Sequence, residues 1–187
     1  TEDQKSFTLG SKGSQDAEAH AVVLDVAENG NAHINSRGDL ILENVVVQNK
    51  GGLLELNAQT SNGKEIRVKS DLGPEASGAQ TVFGSKTTID GAKVVADTIL
   101  LANDKTTAEV MKSYSKVFQY ASGANVTVEK GGLLEATTKL DVNHGRTLDI
   151  NAAAGSSPAG QLKAQELNAN GTVNMHGSAE INTVNAL

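Results

Sequence analysis

The side chains that enzymes most often use are present in this chain, but their spacing does not form a catalytic motif. The four histidines lie far apart, without the His-x-His or His-Glu-x-x-His spacing of a metal site: His20, His33, His144 and His176. The chain has no Cys, which excludes thiol catalysis and cysteine-based zinc binding. Nucleophile-elbow, phosphate-loop, dinucleotide-binding and nonapeptide calcium patterns do not occur in the sequence. We therefore expect no enzyme activity, no metal site and no cofactor.

A polysaccharide-active enzyme is the alternative that the remaining charged residues leave open. Asp141 and Asp149 could stack as a pair of carboxylates on one face of the fold. A sugar-binding groove usually also needs aromatic rings or several basic residues. The chain has no Trp, and its three arginines lie far apart at positions 37, 67 and 146. Such a groove would be hard to build, and solvated turn carboxylates are commoner than catalytic pairs.

One short motif, Arg37-Gly38-Asp39, could bind an integrin-type receptor. It lies in a turn between the apolar positions Ile34 and Leu40, where an exposed loop would present it. Three-residue matches arise readily by chance. Gly38 also has a sufficient structural reason, because turns between strands often need a positive φ. Both interpretations stay open from the sequence.

The hexapeptide Lys-Gly-Gly-Leu-Leu-Glu occurs twice, at Lys50–Glu55 and at Lys130–Glu135. A short β-branched run precedes each copy, which predicts a strand, a turn and a second strand. The repetition indicates that one such unit is used more than once. It favours a stack of similar units over a globule with a single centre.

From Ala21 onward, short apolar segments alternate with Gly and Asn turns, and this pattern is typical of strands. The first predicted strands are Val22–Val26, Ala32–Ile34, Leu40–Leu42, Val45–Val47, Leu53–Leu56 and Ile66–Val68. Later strands return after about 22 residues, from Val126 to Leu148 and from Leu140 to Leu162. The spacing predicts an all-β protein, a right-handed parallel β-helix (solenoid) of roughly eight coils. Asn at the strand ends would adopt left-handed geometry or bond to its equivalent one coil away.

Composition and charge agree with a narrow aliphatic interior. The chain has 187 residues, of which 38% are hydrophobic and 3% are aromatic. Its net charge of −6 and its scattered basic residues disfavour nucleic acid and anionic membranes as partners. No segment is long and apolar enough for direct membrane insertion. Thr1 is not a start residue, so we expect a mature product or an excised fragment.

One segment, about 103–121, breaks the strand pattern and predicts a short helical insertion. Thr106 and Glu109 form a capping box. The apolar positions that follow share one helix face: Val110, Met111, Tyr114, Val117 and Phe118. The helix could simply cover a sheet face, or it could protrude toward a partner through Tyr114, Phe118 and Tyr120. The predicted organisation is thus an N-terminal cap or flexible lead-in at 1–20 and a β-helix at 21–187 that carries this insertion.

The short alternating strands, the Asn-Gly and Gly-Gly turns, the acidic balance and the lack of Cys resemble passenger domains of Gram-negative autotransporters. The chain also resembles haemagglutinin-like exoproteins of the two-partner secretion system. The resemblance extends from Ala21 to the C-terminus, and segments such as Ser122–Val128 and Asn170–Asn174 carry it. The family implies display on the bacterial cell surface or secretion, and a role in attachment or virulence.

The resemblance implies an adhesin or structural stalk segment. Its partners would be a host-cell receptor, extracellular matrix or glycan, or another copy of itself in autoaggregation and biofilm. Two other classes stay open: the polysaccharide-active β-helix enzyme, and a cytosolic β-helix scaffold that polymerises end to end.

Overall fold

Strands and turns make up the whole described part of the chain. The structure, a computed structural model, describes residues 7–9, 22–36, 38–58, 65–73, 77–102 and 124–186. These residues form sixteen strands: β1 (Phe7–Leu9), β2 (Val22–Val26), β3 (Asn31–Ser36), β4 (Leu40–Leu42), β5 (Val45–Asn49), β6 (Leu53–Ala58), β7 (Ile66–Val68), β8 (Gln80–Phe83), β9 (Thr87–Asp90), β10 (Lys93–Leu101), β11 (Asn125–Glu129), β12 (Leu133–Val142), β13 (Thr147–Ile150), β14 (Gln161–Ala169), β15 (Thr172–Met175) and β16 (Ser178–Ala186). The predicted all-β class is confirmed, and the first six predicted strands correspond to β2–β7.

The strands form two seven-stranded sheets and one small sheet. Sheet 1 has the order β1-β4-β7-β9-β11-β13-β15, sheet 2 the order β3-β6-β8-β10-β12-β14-β16, and sheet 3 contains β2 and β5. All thirteen strand pairs are parallel. The chain alternates between sheets 1 and 2, and we call each pair formed by one strand of sheet 1 and one of sheet 2 a rung. The described residues give seven rungs, from β1 with β3 to β15 with β16, where the sequence predicted roughly eight coils.

Side chains that alternate along the strands build one aliphatic core between the sheets. In sheet 1 the buried positions follow one another in register: Leu40, Ile66, Thr87, Val126 and Leu148. In sheet 2 a comparable ladder contains Leu54, Thr81, Ile99, Leu140 and Leu167. The residues predicted to point inward are at most 3% exposed: Val128, Leu134, Leu148 and Leu167. Stacked β-branched and aliphatic side chains thus fill most of the interior, as the composition predicted, and Phe83 adds one fully buried ring.

The predicted return after about 22 residues is right for the pair Val126 and Leu148 and wrong for the pair Leu140 and Leu162. Val126 pairs with Leu148, as expected. Leu140, however, pairs with Leu167, while Leu162 pairs with Leu134. The physical reason is the length of β12, which carries a register shift between Ala136 and Leu140 and so contributes two separate inward-facing segments. The strand β12 therefore contributes to two ladders, one through Leu134 and one through Leu140. The predicted pair of Leu140 and Leu162 takes one residue from each ladder.

Both copies of the repeated hexapeptide form the predicted strand–turn–strand unit, but they occupy different positions in the stack. The first copy links β5 to β6, and the second links β11 to β12. Leu53 of the first copy pairs with Gln80. Gln80 in turn pairs with Thr98 of β10, and Thr98 pairs with Lys139 of β12. Leu133 of the second copy pairs instead with Lys93, at the other end of β10. The two copies therefore lie in different ladders of sheet 2.

The turns of the two copies also differ. In the first, Gly51 has a φ of 101°, and the Asn49 side-chain oxygen accepts the N–H groups of Gly51 and Gly52 at 3.1 and 2.8 Å. In the second, Lys130 and Gly131 both have positive φ, at 54° and 76°. Identical residues thus close two unlike turns, and the residue before the turn is Asn49 in the first copy and Glu129 in the second.

The long connection between β10 and β11 corresponds to the predicted insertion. It contains 23 residues, 102–124, whereas the other connections from sheet 2 to the next strand of sheet 1 contain two to seven. The N–H group of Ala124 donates to the carbonyl oxygen of Ala102 at 2.9 Å, so both ends of the connection are held together. The predicted helix lies outside the described residues, so the helical component is not confirmed. The predicted lead-in at 1–20 contains β1, and its other residues also lie outside them.

Candidate functional site: polar ladders on the outer faces

Outward-facing polar side chains of successive rungs bond to one another along the stacking direction. On sheet 2, Asp141, Asn168 and Asn185 lie in register. The Asn168 amide donates to Asp141 Oδ1 at 2.7 Å, and the Asn185 amide donates to Asn168 Oδ1 at 2.9 Å. On sheet 1, the Asn174 amide donates to Asp149 Oδ1 at 2.6 Å. These amide ladders confirm that Asn can bond to its counterpart one rung away, and each donor points toward the earlier rung.

Charged groups of both signs flank the ladder of sheet 2. Lys139 Nζ lies 3.0 Å from Asp141 Oδ2. The hydrogen bond to Asp141, together with the negative charge of this carboxylate, raises the pKa of Lys139 above its ordinary value. On the adjoining segment, Lys163 Nζ lies 3.6 Å from Glu180 Oε2. The face is therefore zwitterionic, with each cation held beside an anion.

Two shallow grooves accompany these ladders. One, of about 280 Å³, is lined by the charged residues Lys139 and Asp141 and by apolar residues that include Val82 and Leu100. The other, of about 320 Å³, lies across β12, β14 and β16, and its polar lining residues are Glu135, Thr137, Lys163, Gln165, Glu180 and Asn182. Amides, hydroxyls and charges at such grooves offer hydrogen bonds to an extended polar ligand.

Of the tripeptide Arg37-Gly38-Asp39, the structure gives Gly38 and Asp39 a structural role. Arg37 lies outside the described residues. Gly38 is buried, and its N–H group donates to the Ser36 hydroxyl at 3.2 Å. The carboxylate of Asp39 accepts the N–H group of Glu65 at 3.0 Å, which ties the turn to the next rung. A receptor would compete with this bond for the carboxylate, and the integrin-type hypothesis stays a prediction.

A buried carboxylate on β6 is a feature that the sequence did not reveal. Glu55 is 5% exposed, and His33 Nδ1 lies 3.2 Å from its Oε2. The Asn57 amide, which is also buried, donates to Glu55 Oε1 at 3.0 Å. His33 and Glu55 are direct register partners 22 residues apart, so the spacing that predicted the rungs could have revealed their contact. Both oxygens of this buried carboxyl group therefore have a polar partner, which lowers the cost of burying it.

The other candidate residues are not brought together. Asp141 lies on sheet 2 and Asp149 on sheet 1, so the suggested carboxylate pair is wrong. His144 and His176 lie in exposed turns, and His20 lies outside the described residues. Within the described ranges, no group of three His, Asp or Glu side chains could hold a metal ion. Tyr114, Phe118 and Tyr120 also lie outside the described residues.

No helix in the described part of the chain is long and apolar enough to span a membrane. In comparisons with family models, curated proteins and solved structures, nothing matches this chain.

Proposed function

We propose that residues 21–187 form a right-handed parallel β-helix. The support is that every strand pair is parallel and that successive strands alternate between the two large sheets. Connections between parallel strands of one sheet are right-handed in about 98% of cases, which supports the proposed hand. In this arrangement each rung is one coil, and sheet 3 adds a third side to the first two coils.

We infer that this β-helix is a surface-displayed adhesin or structural stalk segment of a secreted bacterial protein, without enzyme activity. The observation that carries the proposal is the repeated outer ladder of amides and paired charges, anchored by Asp141, Asn168 and Asn185. A rigid stack holds such groups at a fixed spacing of about 4.8 Å, so a long ligand can contact several of them at once. A host-cell receptor, extracellular matrix or a glycan would suit this surface, as would another copy of the chain.

The binding mechanism follows from the weakness of each group. One hydrogen bond contributes about 0.5–1.5 kcal/mol after water has been displaced. Useful attachment therefore requires several rungs to bind together and many copies to act on one surface. Because the amides already bond to one another, their geometry is fixed before a ligand arrives, which lowers the entropic cost of binding.

Attachment can be tested with the purified chain coupled to beads, which are then incubated with cultured mammalian cells or with immobilised matrix extract. We expect a ladder variant that combines Lys139→Ser, Lys163→Ser and Asn168→Ser to reduce attachment several-fold, because three neighbouring contacts are lost. A control with Lys50→Ser and Lys86→Ser changes two exposed lysines located in turns. This control should attach like the parent.

Two further variants separate the competing interpretations. Asp39→Asn keeps an acceptor for the Glu65 N–H group but removes the charge, and we expect unchanged attachment. Replacing residues 103–123 by a two-residue link is feasible because Ala102 and Ala124 are hydrogen-bonded, and we expect this variant to attach less if the insertion contacts the partner. If Asp39→Asn alone abolished attachment, the hypothesis of a distributed binding surface would be wrong, and the receptor-motif hypothesis would take its place. Release of sugars from a polysaccharide by the parent chain would favour the enzyme alternative.

A further inference from the structure

The groove of about 320 Å³ across β12, β14 and β16 is lined by two rows of polar side chains. The first row contains Glu135, Lys163 and Glu180, which are register partners on successive rungs, so their backbones lie about 4.8 Å apart along the stacking direction. Lys163 Nζ lies 3.6 Å from Glu180 Oε2, and Glu135 forms no ion pair with another described residue. The row thus offers hydrogen-bond acceptors at both ends and a donor between them.

The second row contains Thr137, Gln165 and Asn182. The Asn182 amide donates to Gln165 Oε1 at 2.6 Å, and the Thr137 hydroxyl donates to Asp97 Oδ1 at 2.7 Å. These bonds fix the side chains, and no described residue occupies the NH2 group of Gln165 or Oδ1 of Asn182. The second row therefore also presents a donor and an acceptor next to each other.

This pattern of donors and acceptors favours a ligand whose own groups both donate and accept hydrogen bonds. A hydroxyl group does both, so neighbouring hydroxyls can donate to the two glutamates and accept from Lys163 or the Gln165 amide. A polyanion would meet two carboxylates for one ammonium group, and a polycation would meet that ammonium between the carboxylates. Among the described lining residues the only apolar ones are Ala136 and Ala164, whereas large side chains anchor most protein interfaces.

We propose that this groove binds a neutral glycan whose chain lies along the stacking direction. The proposal names the ligand class of the outer surface and rests on the proposed function. From β12 to β16 the groove spans two rung spacings, about 10 Å. Its volume lies at the lower end of the range of about 300–1,000 Å³ for ligand sites, which fits a short stretch of a longer chain. Because only a few exposed hydrogen bonds form, we expect a Kd of about 1 mM for one chain.

The experiment is isothermal titration calorimetry of the purified full chain with soluble oligosaccharides. The neutral probes are maltopentaose, cellopentaose and mannopentaose, and the anionic probe is pentagalacturonate. We expect at least one neutral probe to bind, with a Kd that stays constant between about 0.05 and 0.5 M NaCl, because salt does not screen the contacts of an uncharged ligand appreciably. We expect no binding of pentagalacturonate, because the two carboxylates of the groove repel it.

Glu135→Ala combined with Gln165→Ala removes one group from each row and should weaken binding of the neutral probe about tenfold or more. Asp25→Ala combined with Gln48→Ala is the matched control, because these register partners are an acid and an amide on sheet 3, away from the groove. This control should bind like the parent. Glu135→Lys combined with Glu180→Lys should reverse the selection, since three ammonium groups would bind pentagalacturonate and could not accept hydroxyl protons.

Three results would each overturn the proposal: no binding of any neutral probe by the parent, equal binding of neutral and anionic probes, or equal weakening in the control. The bead assay separates this proposal from adhesion. If coated beads attach to cells but no neutral probe binds, the glycan assignment is wrong and adhesion stands. If a neutral probe binds but coated beads do not attach, attachment to cells is refuted while the ligand class is retained.

Discussion

Truncation of a ladder side chain should destabilise the protein in proportion to its burial, and Leu140 provides the sharpest test. Leu140 is fully buried, and it lies between Ile99 and Leu167 in the ladder of sheet 2. Leu140→Ala removes buried carbon atoms and leaves a cavity, because neighbours held by backbone pairing on both sides cannot collapse into it. Buried Leu→Ala changes cost about 3–5 kcal/mol of unfolding free energy, and the rigid rungs favour the upper part of that range.

Val184 supplies the internal control, because it belongs to the same ladder but is 57% exposed. Full burial of a valine side chain stabilises by about 1.6 kcal/mol, and the buried share here is less than half. Val184→Ala should therefore cost below about 0.8 kcal/mol. The two variants compare a buried and an exposed position of one ladder on one sheet.

The assay is urea denaturation followed by far-UV circular dichroism, at a concentration where the chain is monomeric. If the variants differ in the slope of unfolding free energy against urea concentration, the rungs unfold separately, as stacked repeats can. In that case only the urea concentrations at the unfolding midpoints would be compared. Equal destabilisation by Leu140→Ala and Val184→Ala would refute the idea that the ladders form one continuous core.

Two further predictions concern close backbone approach and buried charge. Gly160→Ala would place a Cβ atom 2.3 Å from the carbonyl oxygen of Val128, and we expect a loss of about 1–3 kcal/mol in urea denaturation, since the backbone of both rungs has to shift. Gly73→Ala is its control, because no atom of the described residues lies within 4 Å of the added Cβ, and it should leave stability unchanged or raise it by about 0.5 kcal/mol. Leu134→Asp places an unpaired charge in the fully buried ladder and should cost several kcal/mol in the same assay. A melting temperature like that of the parent would contradict the inward position of Leu134.

The strands themselves were predictable because their signals are local. Alternating apolar residues between Gly and Asn turns mark β2 to β7, and the structure confirms each of them. Asn29 and Asn44 adopt positive φ, at 56° each, as expected of Asn at strand ends. The apolar composition also predicted the aliphatic ladders, since it offered few aromatic residues for a different core.

The register was harder to predict because it depends on strand length and bulges. The shift within β12 separates Leu134 from Leu140, and no single spacing can match both with β14. The repeated hexapeptide misleads for a related reason. Its two copies close unlike turns, and the ladder that each copy joins depends on the register of the strands on either side.

The sequence predicted the type of interaction in the candidate site, but not which residues make it. Asn-rich strand ends indicated amide ladders, but the partners of Asn168 and Asn185 follow from the register that the sequence left open. The burial of Glu55 could not be predicted either. Strand alternation places it on an outer face, yet the structure buries it beside Asn57.

The bond between Ala102 and Ala124 has a consequence for how such a protein can change over time. Flanking strands hold both ends of that connection, so its length hardly affects the stack. Lengthening a link from about 3 to about 23 residues costs about 2 kcal/mol of closure entropy, and further growth costs even less per residue. This corner can therefore accept new segments by recombination or by design, while the hydrogen-bonded strands on either side keep their register.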